Sequence, residues 1–226
     1  MTNNTHRFGW WRKKILDECG IKEFHYITHI SNLSSIYKYG KIFSRNEALE
    51  KIEEGFEDWS NQRVQEHREK EVRISNKSLV NGHDLVPLFF NSNNPTLYAK
   101  PVKDNWGKLA VLSIGTTIVY DKDVEIAFCN GNFARQDSTL HYDLRKLNTL
   151  DWEIIFGGDE IKKLPSQDGY EYYKTKRSSE FFIYPSIKKR WIKKVYVSSK
   201  DSLSKVSNIL EGRVANVFIN KEIFKD

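Results

Sequence analysis

Ser179-Glu180-Phe181-Phe182-Ile183-Tyr184-Pro185 sets one carboxylate at the head of an unbroken apolar run. Aromatic and branched residues in a run of this length, stopped by proline, specify a buried strand, so Glu180 is expected where that strand leaves solvent. Burying a carboxylate costs several kcal/mol, roughly, unless a cation or donor answers it. One answer is local: a strand-edge glutamate paired with Lys176 or Arg177, from the basic and polar run Tyr173 to Ser179. The other is a functional carboxylate held by residues from elsewhere in the chain.

The chain around this strand has 226 residues, 13% aromatic and 29% charged, with a formal net charge of +6. That composition specifies a folded, moderately basic protein, and the length fits one domain, 1–226, with a helical lead-in over 1–20 and a core over 21–226. The basic excess is local: Arg12, Lys13 and Lys14 follow two tryptophans, while Lys174, Lys176, Arg177, Lys188, Lys189, Arg190, Lys193 and Lys194 surround Glu180. Such clustering fits a polyanionic partner, and equally a solvated basic face. Two cysteines, Cys19 and Cys129, are too few for a disulfide scaffold and too far apart for a zinc knuckle, which points to a reducing cytoplasm. No run approaches the ~20 apolar residues of a membrane span, so no membrane partner is expected.

Phe24 to Ile30 reads as a strand running into a helix that starts at Ser31 or Asn32 and carries Leu33, Ile36 and Tyr37 to Gly40. Such a junction offers free N–H groups to an anion. Asn46 to Glu71 reads as charged helix broken at Gly55, with Trp59 among its anchors. Leu85 to Phe90 reads as a strand whose Pro87 marks an edge or a start. Further strands fit Leu109 to Ile114, Val124 to Phe128, Ile192 to Ser198 and Val214 to Ile219. Helices fit Tyr142 to Leu150 and Ser202 to Leu210, and Phe156 to Tyr173 reads as a long loop. Strands and helices do not alternate regularly, which specifies an α+β fold with a mixed or antiparallel sheet.

Three constellations carry chemistry. His25 and His29 share a strand face, but no neighbouring carboxylate or cysteine completes a metal site, so no metal is expected. Asp151, Glu160 and Lys162 imitate a metal-dependent nuclease, although Glu160 and Lys162 lie in a glycine-rich loop rather than on a rigid strand. The basic and aromatic residues would also suit a non-catalytic module that binds single-stranded nucleic acid. Arg68, in Gln65-Glu66-His67-Arg68-Glu69-Lys70, reads by itself as an exposed helical residue.

The order of five segments changes that balance: Ile27-Thr28-His29-Ile30-Ser31-Asn32-Leu33, Gln65 to Arg68, Val86-Pro87-Leu88-Phe89-Phe90 with Pro95-Thr96-Leu97-Tyr98, Leu150-Asp151-Trp152, and Ser179-Glu180-Phe181. From about Phe24 to about Ser198 the chain resembles the DarT family of DNA ADP-ribosyltransferase toxins. The first segment is similar to the family's His-Ile-Thr-His-Ile-Asp-Asn-Leu motif, with Tyr26 in place of the first histidine. The third is similar to Val-Pro-Phe-Tyr-Phe and Ser-Pro-Met-Leu-Tyr, with Phe89 for tyrosine and Thr96 for methionine.

The resemblance implies an ADP-ribosyltransferase-like split, mixed β-sandwich with peripheral helices. It implies NAD as a co-substrate with no tightly bound cofactor, thymine or guanine of single-stranded DNA as acceptor, and a macrodomain antitoxin as a partner. Glu180 and Arg68 fall on the catalytic glutamate and the NAD-contacting catalytic arginine. Tyr26, Thr28, His29, Asn32, Phe89 and Tyr98 fall at the NAD site, while Lys174, Lys176 and Arg177 become candidate contacts to DNA phosphates.

Overall fold

The computed structural model describes residues 9–58, 62–157, 167–211 and 216–224. Helix α1 (Trp10–Glu18) is the described part of the lead-in and precedes β1 (Glu23–His29), α2 (Asn32–Tyr39), β2 (Lys41–Phe43), α3 (Arg45–Lys51) and α4 (Gln62–Arg68). A hairpin of β3 (Glu71–Arg73) and β4 (Leu79–Asn81) leads to β5 (Val86–Phe89), α5 (Lys100–Lys103), β6 (Leu109–Gly115), β7 (Glu125–Cys129) and β8 (Leu140–His141). Then come α6 (Trp152–Phe156), α7 (Gln167–Arg177), β9 (Glu180–Tyr184), β10 (Ser186–Lys188), β11 (Ile192–Val197), α8 (Lys200–Ile209) and β12 (Val217–Ile219).

Among the described residues one sheet runs in the order β12-β11-β6-β1-β5-β9-β7-β8. Its neighbours are antiparallel except for β11 and β12, so the sheet is mixed as expected. β1 pairs with β6 along its whole length, and β5 with β9 from Val86 to Phe89, but β1 and β5 share only the register pair His25 opposite Phe89. The sheet is therefore almost split into two halves. Pro87 is the second residue of β5, next to the strand start that is one of its two expected places, and β5 is not an edge strand; away from the His25–Phe89 pair, β5 has no ladder to β1 in which a missing N–H would count.

Alternation along the strands sends Phe24, Leu88, Phe128, Phe181 and Leu112 to one face, where they pack with Leu16 of α1 and Leu33 and Ile36 of α2 in the main core. Phe24 stacks on Phe181 across the split, with ring centroids 4.1 Å apart, so the main core bridges the two halves. The opposite face carries two separate apolar clusters. Phe182, Ala127, Cys129 and Phe133 form one under the β3–β4 hairpin, and Leu97, Leu109, Val111 and Phe224 form the other. Between them the register aligns Ser113, His25, Phe89 and Glu180 in one row across β6, β1, β5 and β9.

Several expected elements differ. The charged stretch after Asn46 is two short helices: α3 ends where Ile52 turns extended, and α4 begins at Gln62, with Trp59 outside the described residues. Leu144–Thr149 is a 3-10 turn headed by Asp143, whose carboxylate accepts from the Arg145 N–H, rather than an α-helix over Tyr142 to Leu150. The expected loop before Glu180 contains α7, so Lys174, Lys176 and Arg177 are helical; residues 158–166 lie outside the described residues.

His25 carries a pH dependence. It is 7% exposed, its Nδ1 has no hydrogen-bond partner among the described residues, and burial pushes its pKa down from 6.5 to about 4, against the opposing pull of the Glu23 carboxylate. The unfolded imidazole takes up a proton as pH falls through 6.5, while the folded one resists until about 4. Stability from this group is thus complete above that window, is lost as pH falls through it, and changes by on the order of 3 kcal/mol in all. Urea unfolding midpoints should drop across the window in the wild type and stay flatter in His25→Phe; an equal drop in both assigns the dependence elsewhere.

Candidate active site

Arg68 and Glu180, 112 positions apart, meet in a buried ion pair, Nη2 to Oε1. The other carboxylate oxygen, Oε2, accepts the main-chain N–H of Phe133 at 2.6 Å. Glu180 is 0% exposed and Arg68 7%, so the expected strand mouth is an interior position. The local pairing is overturned as well: neither Lys176 nor Arg177 answers Glu180.

Three elements converge to make the pair. β9 begins at Glu180, which lies opposite Phe89 and points to the same face as Phe182. Arg68 ends α4, and the chain then turns so that Lys70 O accepts from Gly82 N at 2.9 Å. Glycine is required at 82, because a Cβ there would collide with the Arg68 carbonyl and come 2.8 Å from Phe133 Cε1. The loop after β7 brings in Phe133, whose ring packs edge-on to Phe182 at 5.3 Å. The Arg68 guanidinium lies 5.8 and 5.9 Å from the Phe133 and Phe182 ring centroids, and Lys70 Nζ lies 4.4 Å from that of Phe133. Cationic groups over aromatic faces gain from the ring quadrupole where water is scarce. Nearby, burial and then the Glu180 charge push the Cys129 thiol pKa up, which keeps that sulfur neutral and unreactive.

A second polar cluster gathers the residues of the first motif. The Asn32 amide donates to Thr28 Oγ1 at 3.1 Å and to Glu57 O at 2.9 Å, and its Oδ1 accepts from Glu57 N at 3.0 Å. Asn32 thus stitches the segment after α3 across the start of α2. Arg45 Nε donates to Asp58 at 3.0 Å in the same segment. Burial, then the Asp58 charge, push the Tyr26 phenol up to about 12, with the Thr28 hydroxyl opposing. His29 Nδ1 lies 2.7 Å from Ser31 Oγ and accepts from Ser31 N at 3.2 Å; an amide only donates, so the neutral ring carries its proton on Nε2. Burial lowers the His29 pKa, Glu57 raises it and Lys108 lowers it.

A polar cavity of about 420 Å³ opens beside this cluster, lined by residues including Ser31, Asn32, Lys38, Phe56 and Glu57. The anion seat expected at the start of α2 is largely filled by the chain itself, since Leu33 and Ser34 N–H donate to Ile30 O and Ser31 O.

The remaining expected residues are dispersed. Phe89 lies in the central row between His25 and Glu180. Tyr98 is instead tied into the outer apolar cluster, its hydroxyl donating to Ile223 O at 2.9 Å and its ring edge-on to Trp106. Lys174 is exposed, whereas Lys176 Nζ donates to Asn130 O at 3.2 Å. Arg177 is buried and donates to Gly157 O at 2.7 Å and Asn93 O at 2.9 Å, so it is a structural tie and not a surface phosphate contact. Asp151 caps α6 by accepting from Ile154 N at 3.1 Å, while Glu160 and Lys162 lie outside the described residues. Among the described residues no cluster of histidine, cysteine and carboxylate side chains could hold a metal.

Replacing Arg177 by alanine leaves two part-buried carbonyls without their charged donor and empties its buried site, at a cost of about 1–3 kcal/mol. A urea midpoint that falls accordingly fits this role; unchanged stability with weakened oligonucleotide binding would return Arg177 to the surface.

Residues 25–225 match the family described as ssDNA thymidine ADP-ribosyltransferase, DarT. A DNA ADP-ribosyl transferase–DNA ADP-ribosyl glycohydrolase fusion protein of Thermosipho africanus is 26% identical over 193 residues, 85% of this chain and 46% of that protein, so the chain spans about half the length of that relative. A DNA ADP-ribosyl transferase of Thermus sp. is 24% identical over 210 residues, 88% of this chain and 93% of the relative. The solved structure of Thermus sp. 2.9 DarT in complex with ADP-ribosylated ssDNA is similar with a TM-score of 0.72 and 21% identity, over 91% of this chain and 97% of that one. The same protein in complex with NAD+ gives 0.69 and 21% identity, over 91% and 98%. These structures share the fold, a mixed sheet flanked by helices. With the family match extending from the row that contains His25 through Arg68 and Glu180 to the last described turn, the chain belongs to the DarT family of ADP-ribosyltransferases.

Proposed function

We propose that this chain transfers ADP-ribose from NAD+ to a base of single-stranded DNA as one catalytic domain, with Glu180 and Arg68 as its catalytic residues. The observation that carries the reading is the buried meeting of these two side chains inside a DarT-family chain. The description of the matched family makes thymidine the first acceptor to test, ahead of guanosine.

Transfer breaks the bond between the nicotinamide nitrogen and C1' of the ribose and forms a bond from C1' to a ring nitrogen of the base, with neutral nicotinamide leaving and the base proton lost. The sugar passes through an oxocarbenium-like state, in which its 2'-hydroxyl becomes a stronger donor. A carboxylate accepting that hydrogen bond favours the transition state over the ground state. Glu180, at the first position of a central strand, supplies such a fixed carboxylate. Arg68 suits the pyrophosphate or the approaching base; a guanidinium whose pKa exceeds ~12 is a poor proton acceptor, so its part is positioning and charge. Thr28, His29 and Asn32, beside the cavity at the start of α2, are the groups from which the rest of NAD+ would find donors and acceptors. Lys174, exposed on α7 ahead of Glu180, is a candidate phosphate contact.

A toxin of this kind needs an antidote. The glycohydrolase fused to the Thermosipho relative supports a macrodomain partner that removes the modification. Among the described residues no helix is long and apolar enough to cross a membrane, and Cys19 and Cys129 are free thiols, which fits the cytoplasm.

Incubation with labelled NAD+ and single-stranded oligonucleotides should put the label on thymidine-containing DNA, with or without EDTA. Label on RNA or protein alone reassigns the acceptor, and unconsumed NAD+ with salt-sensitive DNA binding leaves only a binding module. Glu180→Gln should slow transfer by roughly 10²-fold or more; near-normal turnover removes Glu180 from the chemistry. Lys174→Ala should lower the salt dependence of oligonucleotide binding by roughly one phosphate contact, and an unchanged slope takes Lys174 off the DNA path.

A further inference from the structure

Glu180 has one partner on each oxygen and no exposed surface, so a ribose hydroxyl can reach its carboxylate only if a group packed over it moves aside. We propose that the main-chain N–H of Phe133 is a positioning donor that stays on Oε2 throughout the reaction, while Arg68 leaves Oε1 to the substrate. The proposal rests on the reading of Glu180 as the ribose-binding carboxylate.

The two partners are held very differently. Arg68 reaches Glu180 through a long side chain, its Nε is buried without a hydrogen-bond partner among the described residues, and its guanidinium otherwise rests on two aromatic rings. Leaving a buried carboxylate is costly for a guanidinium unless another anion takes its place. A pyrophosphate or a DNA phosphate is that anion.

The Phe133 amide is part of a turn fixed from several sides. Asn132 Oδ1 accepts from Ala134 N at 2.9 Å, and Asn132 O accepts from Arg135 N at 3.0 Å. Behind it, Gly131 packs so closely on α7 that a Cβ would lie 2.9 Å from Thr175 Cγ2 and 2.5 Å from Ser138 Oγ. The ring in front is 3% exposed, wedged against Phe182, Lys70 and the Cβ-less face of Gly82. Moving the amide would require moving β3–β4, α7 and this aromatic contact together. A fixed donor on one oxygen restrains rotation of the carboxylate and aims the other at the substrate, which is how a preorganised site avoids reorganising during the reaction.

Replacing Phe133 by phenyllactic acid exchanges only the N–H for an ester oxygen and keeps the ring. The expected result is a fall in kcat of about tenfold or more with KM for NAD+ changed by no more than about twofold. A folded ester protein with unchanged kcat overturns the proposal, since a purely structural amide would lower only thermal stability. Should the ester protein not fold, NMR of wild type carrying labelled phenylalanine and arginine decides. On titration with NAD+ the Phe133 amide should keep its protection from hydrogen exchange while the Arg68 guanidinium signals shift. Loss of protection at Phe133, or Arg68 signals unmoved by saturating NAD+, overturns it. Intact NMR behaviour without any DNA labelling would instead remove the acceptor reading alone.

Discussion

The buried pair of Arg68 and Glu180 is the contact around which the rest of the molecule is arranged. Desolvating two charges costs about as much as their attraction returns, and well-packed apolar residues of similar size often serve stability as well or better. Stability alone is therefore weak grounds for such a pair beside a central strand. The amide of Phe133 and the close approach at Gly82 fix the carboxylate side of the pair, and the rings of Phe133 and Phe182 face the guanidinium. Together they give a carboxylate with few degrees of freedom, the property that the proposed role of Glu180 at a short-lived sugar cation would use.

The sheet beside this pair is nearly split. β1 and β5 are not zipped along their lengths. A single pair, His25 opposite Phe89, joins the halves instead, and the stacked Phe24 and Phe181 hold them together from the other side. The residues of the first motif then sit on one half and Arg68 and Glu180 on the other.

Sequence patterning made the long strands legible: β6, β7, β9 and β11 lie within a residue or so of where their runs place them, and in β6, β7 and β9 burial on both faces leaves little choice of residue. Short helices between them were less legible. α7 hides behind glycines and charges, and the 3-10 turn at Leu144–Thr149 has the same apolar spacing as a helix. Pro87 stands next to its strand's start, but whether that strand is an edge depends on ladder completeness, a tertiary property.

The side chains of the site were legible only through the order of five motifs, since Arg68 by itself looks like any exposed helical arginine. Charge in a sequence does not report burial either, so Arg177 reads like Lys174 although it is an internal tie to two carbonyls. Phe133 and Gly82 carried no signal at all: one contributes a main-chain N–H and the other the absence of a Cβ. The most direct test of the coupled pair is a double-mutant cycle on kcat/KM for transfer to single-stranded DNA, with Arg68→Gln, Glu180→Gln and both together. A pair that acts as one unit predicts a double variant only about as slow as the slower single one, and losses that multiply would contradict it.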